Sequence, residues 1–169
     1  MTDDRKDSAE PCLTHVDASG AARMVDVSTK ASTVRLARAS ARVRMATDVR
    51  ARVFDGTMEK GEVLAVARLA GIQGAKETSR LVPLCHPLSL SHVQVDFTAV
   101  GEDSIGIVAE ARTTGPTGVE MEAMTAAAVA ALTIYDMVKG ACRDACIEEV
   151  SLLHKSGGKS GTYDRHETK

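Results

Sequence analysis

The sequence is poor in aromatic residues: two Phe, two Tyr and no Trp in 169 residues. A core without large rings must be built from Ala, Val, Leu, Ile and Met, which favours close approach of helices to each other or to a sheet. The same scarcity argues against nucleic-acid modules that stack bases on aromatic platforms. Neither sign of charge is in excess. With a formal net charge of −2, nothing draws the chain as a whole towards DNA, RNA or an anionic membrane. No apolar run is expected to reach the ~20 residues of a membrane helix, and the N-terminus lacks the basic-then-apolar pattern of a secretory signal. These absences imply a cytoplasmic protein with no nucleic-acid or membrane partner. Cys12, Cys85, Cys142 and Cys146 are then reduced thiols, and a disulfide framework is the weaker reading.

What remains is an ordinary globular composition, 44% hydrophobic and 26% charged, in a length suited to one domain with a real core. Residues 1–12 (MTDDRKDSAEPC) read as a disordered leader, 13–161 as a single domain and 162–169 as a flexible tail.

Periodicity divides that domain. Leu13 to Gly20 is loop chemistry, and Met24–Val27 is a short strand candidate. Arg38 to Met45 alternates, with Ala39, Ala41, Val43 and Met45 on one side and Arg38, Ser40, Arg42 and Arg44 on the other. Period two predicts a half-buried strand whose arginine stripe is its solvent face. Asp48 to Phe54 predicts a short helix. Glu62 to Val82 carries apolar residues at helical spacing, with weakening or a bend expected at Gly71 and Gly74. Pro83 and Pro87 bracket Leu84-Cys85-His86 in a stiff, non-helical loop. Ser91–Ala99 and Ile105–Thr113 alternate around hairpin residues, Gly118–Gly140 predicts a long central helix, and Val150–His154 a last strand. The order is strand, helix, strand, strand, helix, strand. That is an α+β, ferredoxin-like (βαββαβ) antiparallel sheet with two long helices on one face.

The central helix carries ionisable groups at both ends: Glu120 and Glu122 around Met121 at its start, Asp136 and Lys139 at its finish. Acids suit a first helical turn, an i,i+3 Asp–Lys pair is usually an ordinary surface ion pair, and a Met between acids is usually core filler. The apolar turns before Asp136 favour another reading, in which the helix is buried and the acid–base pair is retained for use. Glu122 and Asp136 are separated by about 21 Å on a straight helix at ~1.5 Å per residue. No small substrate spans both ends easily, so a site using both must be assembled from two protomers.

Cys85-His86 in a rigid loop suits a positioned histidine, although a lone His is usually structural. A Cys–His nucleophile stays open, weakened because sequence neighbours rarely face each other productively. Zinc is disfavoured, because Cys142 and Cys146 have helical spacing but no second close ligand pair accompanies them. The glycine-rich KSGGKSG stretch from Lys155 invites a phosphate reading, since glycines free backbone N–H groups to face an anion. It is not a Walker A loop, which would need Gly where the chain has Leu153. Taken with Lys30, Arg35, Lys60 and Lys139, the loop suits a triphosphate better than a neutral ligand.

The blocks LTHVDASGAARMVDVSTK, KGEVLAVARLAGIQGAK, PLCHPL, TGVEMEAMTAAAVAALTIYDMVK and KSGGKSG together resemble the cyclic pyranopterin monophosphate synthase family, the C proteins of early molybdenum cofactor biosynthesis. The resemblance runs in order from about residue 13 to 161. It implies a lyase that converts 3′,8-cyclo-7,8-dihydroguanosine 5′-triphosphate, made by a radical-SAM GTP cyclase, into cyclic pyranopterin monophosphate and diphosphate. It implies a ferredoxin-like homohexamer, a trimer of dimers, with active sites between subunits. By position, Asp136 matches the family's catalytic acid with Lys139 beside it, and Lys60 matches its other essential lysine. Leu84, Cys85 and His86 match a substrate-binding segment, as do Glu120, Met121 and Glu122. Lys30, Arg35 and Lys155 are assigned to the substrate's phosphates. No metal ligand set and no resident cofactor are expected, any Mg²⁺ arriving with the triphosphate. Pro116 stands where a basic residue is expected, and Val138 and Gly140 where Cys and Ala are. None of the three removes a proposed catalytic group. Two rivals share the topology: a small-molecule-binding regulatory module, which leaves the acid–base pair and lysines unexplained, and an RNA-binding domain, which the charge and aromatic content oppose.

Overall fold

The computed structural model describes residues 19–166. The expected leader 1–12 with Cys12, loop residues 13–18 and positions 167–169 of the tail lie outside the described residues. In chain order the elements are β1 (Thr33–Arg44), α1 (Thr47–Phe54), α2 (Val63–Lys76), α3 (Thr78–Leu81), β2 (Leu90–Val100), β3 (Ser104–Gly115), α4 (Glu120–Val138), β4 (Cys146–Ser156) and β5 (Tyr163–Asp164). The strands form one antiparallel sheet in the order β2-β3-β1-β4-β5. With α1, α3 and β5 set aside, this is the expected ferredoxin-like arrangement. Helix α4 lies on β1, β3 and β4, and α2 lies beside it on β2.

The missing aromatics have a structural counterpart. Beneath α4 the sheet presents Ala37, Ala39, Ala41, Ala109 and Ala111, and α4 answers with Ala123, Ala126, Ala127, Ala130 and Ala131, none more than 3% exposed. Small side chains on both layers let the helix sit close to the sheet, and Ile105, Ile107 and Ile134 fill what is left. The approach of α2 to α4 is closer still. A Cβ on Gly71 would lie 2.9 Å from the Ala126 carbonyl oxygen, and one on Gly74 would lie 2.9 Å from a Val129 methyl. These glycines therefore mark a helix–helix contact, and α2 is helical across both. The expected single run to Val82 instead stops at Lys76, and a separate turn of helix follows at Thr78–Leu81.

Three further expectations change. Met24–Val27 is not a strand; the segment has no regular secondary structure, with an isolated bridge at Ala22 before it. Helix α4, at 19 residues and mean hydropathy 1.3, is long and apolar enough by length and composition to cross a membrane. Its five buried alanines, with Ile134 and Val138, belong to the core, whereas Leu132 is 59% exposed. The tail from 162 is partly structured, since Tyr163 and Asp164 pair with Lys155 and His154 of β4.

Strand β4 is longer than expected because its alternation is broken. Its register on β1 shifts between Arg38 and Ala39 and again between Ser40 and Arg42. Glu149, in the second shift, has φ of 53°. Such bulges place two residues opposite one and hide a strand from a period-two search.

Candidate functional site

Topology gathers one end of the sheet into a site. The C-terminal end of β3 leads into the start of α4, Thr33 at the start of β1 pairs with Gly115, and the 82–88 loop feeds β2 alongside. Between them is a cavity of about 480 Å³ lined by Val25, Val27, Lys30, Val82, Leu84, Cys85, His86, Leu88, Thr117, Gly118, Glu120, Met121 and Glu122. Six of the predicted substrate-binding residues, 84–86 and 120–122, and Lys30 therefore share one pocket. Sequence reasoning missed the apolar wall of Val25, Val27, Val82 and Leu88. The signal was present, since the Met24–Val27 strand candidate contains the two valines that line the cavity.

The polar groups in this cavity are unusual for their surroundings. Glu122 is 4% exposed, and burial, reinforced by the charge of Glu120, pushes its carboxyl up to about 7 despite a hydrogen bond from its own backbone N–H. Around neutral pH this group can hold or release a proton, as an acid–base or hydrogen-bond-donating carboxyl must. Burial also pushes the half-buried Cys85 thiol up, with the Glu122 charge adding to the effect, which disfavours the nucleophilic thiolate reading. His86 Nε2–H donates to the Val25 carbonyl at 2.8 Å, fixing the ring across the cavity wall and leaving Nδ1 as its second polar atom.

Arg35 belongs to the same end of the sheet. On β1 the odd-numbered residues from Ala37 to Val43 face the helices, so Arg35 faces that side too. Its guanidinium donates to the carbonyls of Gly115 (3.4 Å) and Pro116 (3.3 Å), next to cavity residue Thr117. The glycine loop after β4 presses on it from the other side, where a Cβ on Gly158 would overlap the guanidinium and one on Gly157 the Val34 carbonyl. Glycine is required here twice over, because both residues have positive φ, 95° and 75°. Lys155 is hydrogen-bonded to Ser160 in this loop.

The predicted catalytic residues lie at the other end of α4. Lys139 Nζ bonds Asp136 Oδ1 at 2.7 Å, and Lys60, from the turn before α2, reaches Asp136 Oδ2 at 3.4 Å and the Asp136 carbonyl at 2.7 Å. Bonding to Lys139, with the charge of both lysines, holds the Asp136 carboxyl below its ordinary range. The same bond raises Lys139. The cluster is not the buried pair expected from the apolar helix: side-chain exposures are 58% for Asp136, 52% for Lys139 and 46% for Lys60. The helix is amphipathic here, with Ile134 and Val138 fully buried and Asp136 on the opposite side. Nor are all the bases gathered into one polyanion site. In a single chain Lys30 lines the cavity and Arg35 lies at its end of the sheet, while Lys60 and Lys139 are at the far end of α4.

Two features elsewhere bear on chemistry. On the open sheet face Glu110, 9% exposed, accepts 2.6 Å bonds from Arg38 and Arg112. Burial raises its pKa, but the two arginines outweigh that and hold it low. The arginine stripe is thus partly consumed by internal pairing. Among the described residues no group of three or more His, Cys, Asp or Glu is placed to hold a metal ion, and Cys85, Cys142 and Cys146 are unbridged. Cys142 follows α4 and Cys146 opens β4, so their four-residue spacing is not a helical one.

Compared with known families, the chain matches the family model described as MoaC family over residues 24–158. The matched region contains the cavity, Arg35, Lys155 and the Lys60–Asp136–Lys139 cluster.

Proposed function

The chain belongs to the MoaC family, enzymes of molybdenum cofactor biosynthesis acting on a small-molecule substrate, and on that premise we propose that it is a cyclic pyranopterin monophosphate synthase. Its substrate is 3′,8-cyclo-7,8-dihydroguanosine 5′-triphosphate, supplied by a radical-SAM GTP cyclase, and its products are cyclic pyranopterin monophosphate and diphosphate. The observation that carries this reading is the match of one family over a region holding a cavity with a proton-exchanging carboxyl, a base-flanked glycine loop and an acid between two lysines.

Each part has a task in that chemistry. Rebuilding the guanine-derived rings requires several proton transfers, for which Glu122 is poised near neutrality and Asp136 can relay between Lys60 and Lys139. The largely apolar cavity, with Leu84, Cys85, His86, Glu120 and Met121 around Glu122, suits a flat heterocycle gripped by few polar groups. Cyclic phosphate formation is attack by a sugar hydroxyl on the α-phosphorus. The new P–O bond forms as the bond to the β-phosphate breaks, the hydroxyl proton passes to a base, and diphosphate departs. Lys30, Arg35 and Lys155 supply positive charge for the phosphates, and Mg²⁺ travels with the triphosphate as part of the substrate. This makes the reaction that of a phosphorus–oxygen lyase.

The separation of the two clusters within one chain is the reason to propose a homohexamer, a trimer of dimers, with each site shared between subunits. Another copy then brings a Lys60–Asp136–Lys139 cluster to this cavity and desolvates it, which would lower a lysine towards the pKa a base needs. A nucleotide-derived substrate agrees with a cytoplasmic setting. The test is incubation with the cyclic GTP-derived intermediate, reading diphosphate release and a fluorescent pterin after oxidation. Absence of turnover by the wild type defeats the activity, and full activity in a strictly monomeric protein defeats the shared site.

A further inference from the structure

We propose that β5 is a strap holding the 157–161 glycine loop closed against Arg35, and that His154, Asp164 and Arg165 are positioning residues for the ligand's phosphates through that loop. The inference rests on the phosphate assignment made above for Arg35 and Lys155. A two-residue strand is too short to be a sheet element in its own right, yet it and the Arg165 that follows are bonded to four successive residues of β4, 152 to 155. Tyr163 and Asp164 pair with Lys155 and His154 in the ladder. His154 Nδ1 and the Asp164 carboxylate are 2.7 Å apart. The Arg165 backbone N–H donates to the Leu153 carbonyl at 2.8 Å, and its side-chain Nε–H to the Leu152 carbonyl at 2.9 Å.

The strap's place explains its purpose. Strand β4 would be the sheet's outer strand without β5, which covers only His154 and Lys155, with Ser156 between them and the glycine loop. The loop has positive φ at Gly157, Gly158 and Gly161, a backbone with unusually many conformations to lose when it is ordered. One end is fixed by β4 and the other by β5, with the Gly161 N–H turning back onto the Gly158 carbonyl at 3.2 Å. Closed in this way, the loop lies on the Val34 carbonyl and the Arg35 guanidinium. None of His154, Asp164 or Arg165 lines the cavity. An edge cover alone would protect the sheet from strand addition; a loop clasp would in addition set anion affinity.

The experiment compares the full chain with a chain ending at Gly161, which keeps every loop glycine and lysine, and with Asp164→Ala and Asp164→Glu in the full chain. Readouts are amide hydrogen exchange over 157–161, inorganic tripolyphosphate binding by calorimetry, and the KM–kcat split of turnover. Truncation is expected to speed loop exchange and to weaken tripolyphosphate and raise KM about tenfold, since the loop must then be ordered on binding, with kcat little changed. Asp164→Ala should act in the same direction by about two- to threefold, as one exposed pair among several bonds, with Asp164→Glu restoring the wild-type values. The alanine variant keeps the question answerable if the truncated chain does not fold. Unchanged loop exchange in both loss variants overturns the strap. Faster exchange in a protein that binds no tripolyphosphate even as wild type overturns the phosphate assignment, and the positioning role with it.

Discussion

The two ends of α4 handle charge in opposite ways. At the start, Glu122 is closed into a largely apolar cavity and its carboxyl titrates near 7. At the finish, Asp136 stands in solvent between two lysines and is held ionised. The first end is poised by burial, which one chain supplies for itself. The second is paired but wet, and in water such pairs contribute little to stability and are poorly tuned for proton transfer. An exposed cluster kept at a fixed place on a rigid helix is explained if another surface covers it during the reaction.

The largest effect should come from the wet end. Asp136→Asn or Lys60→Ala is expected to reduce turnover about 100-fold or more, the scale of a lost proton-transfer group, while the thermal midpoint of either variant stays close to wild type. A parallel loss of stability would show that the cluster is structural. Between the ends, Gly71→Val would press a side chain against the Ala126 carbonyl and Val95. It should cost about 1–3 kcal/mol in denaturant unfolding, as overpacking does. A neutral result would mean that α2 and α4 separate easily, and the rigidity assumed in contrasting their ends would go with it.

The dry end can be tested by pH. The folded-state value of about 7 for Glu122 lies above the ordinary 4.5, so its contribution to stability is complete below pH 4.5 and is lost as pH rises through 7. Glu122→Gln removes that slope, and relative to wild type it should gain on the order of 2 kcal/mol between pH 5 and pH 8. A difference that does not vary with pH would place the carboxyl in solvent and erase the contrast. The smallest effect is one of reactivity. Thiol reagents, mapped by mass spectrometry, should modify exposed Cys146 before half-buried Cys85, whose thiol is pushed up by burial. Tripolyphosphate should not reverse that order.

Much of this was legible in the residues. Alternation revealed β1, β2 and β3, prolines marked the 83–87 loop, and the family resemblance named seven of the thirteen residues that line the cavity. Where the reading failed, one physical cause recurs: periodicity reports burial, and burial changes character at a site. The alternation of β1 was followed only from Arg38. Before that, Val34 is 71% exposed on the face away from the helices and Arg35 is polar on the helix side, so the apolar alternation is lost. Val25 and Val27 imitated a strand because they line a cavity. Asp136 was expected to be buried because its neighbours are apolar, although a helix can turn one exposed residue out from an otherwise buried turn. Two residues of β5 offer no period to detect, and the Glu149 bulge hides half of β4.

The small-residue seam under α4 makes the helix a ruler. Packed against alanines below and glycines beside it, it has little room to slide or roll, so the offset between its two ends is set by residue count. One residue inserted between Ala127 and Ala130 would turn one end relative to the other by about 100° and shift it ~1.5 Å. Both clusters could survive such an insertion chemically intact and still no longer meet at matching angles across the subunit interfaces of the proposed hexamer.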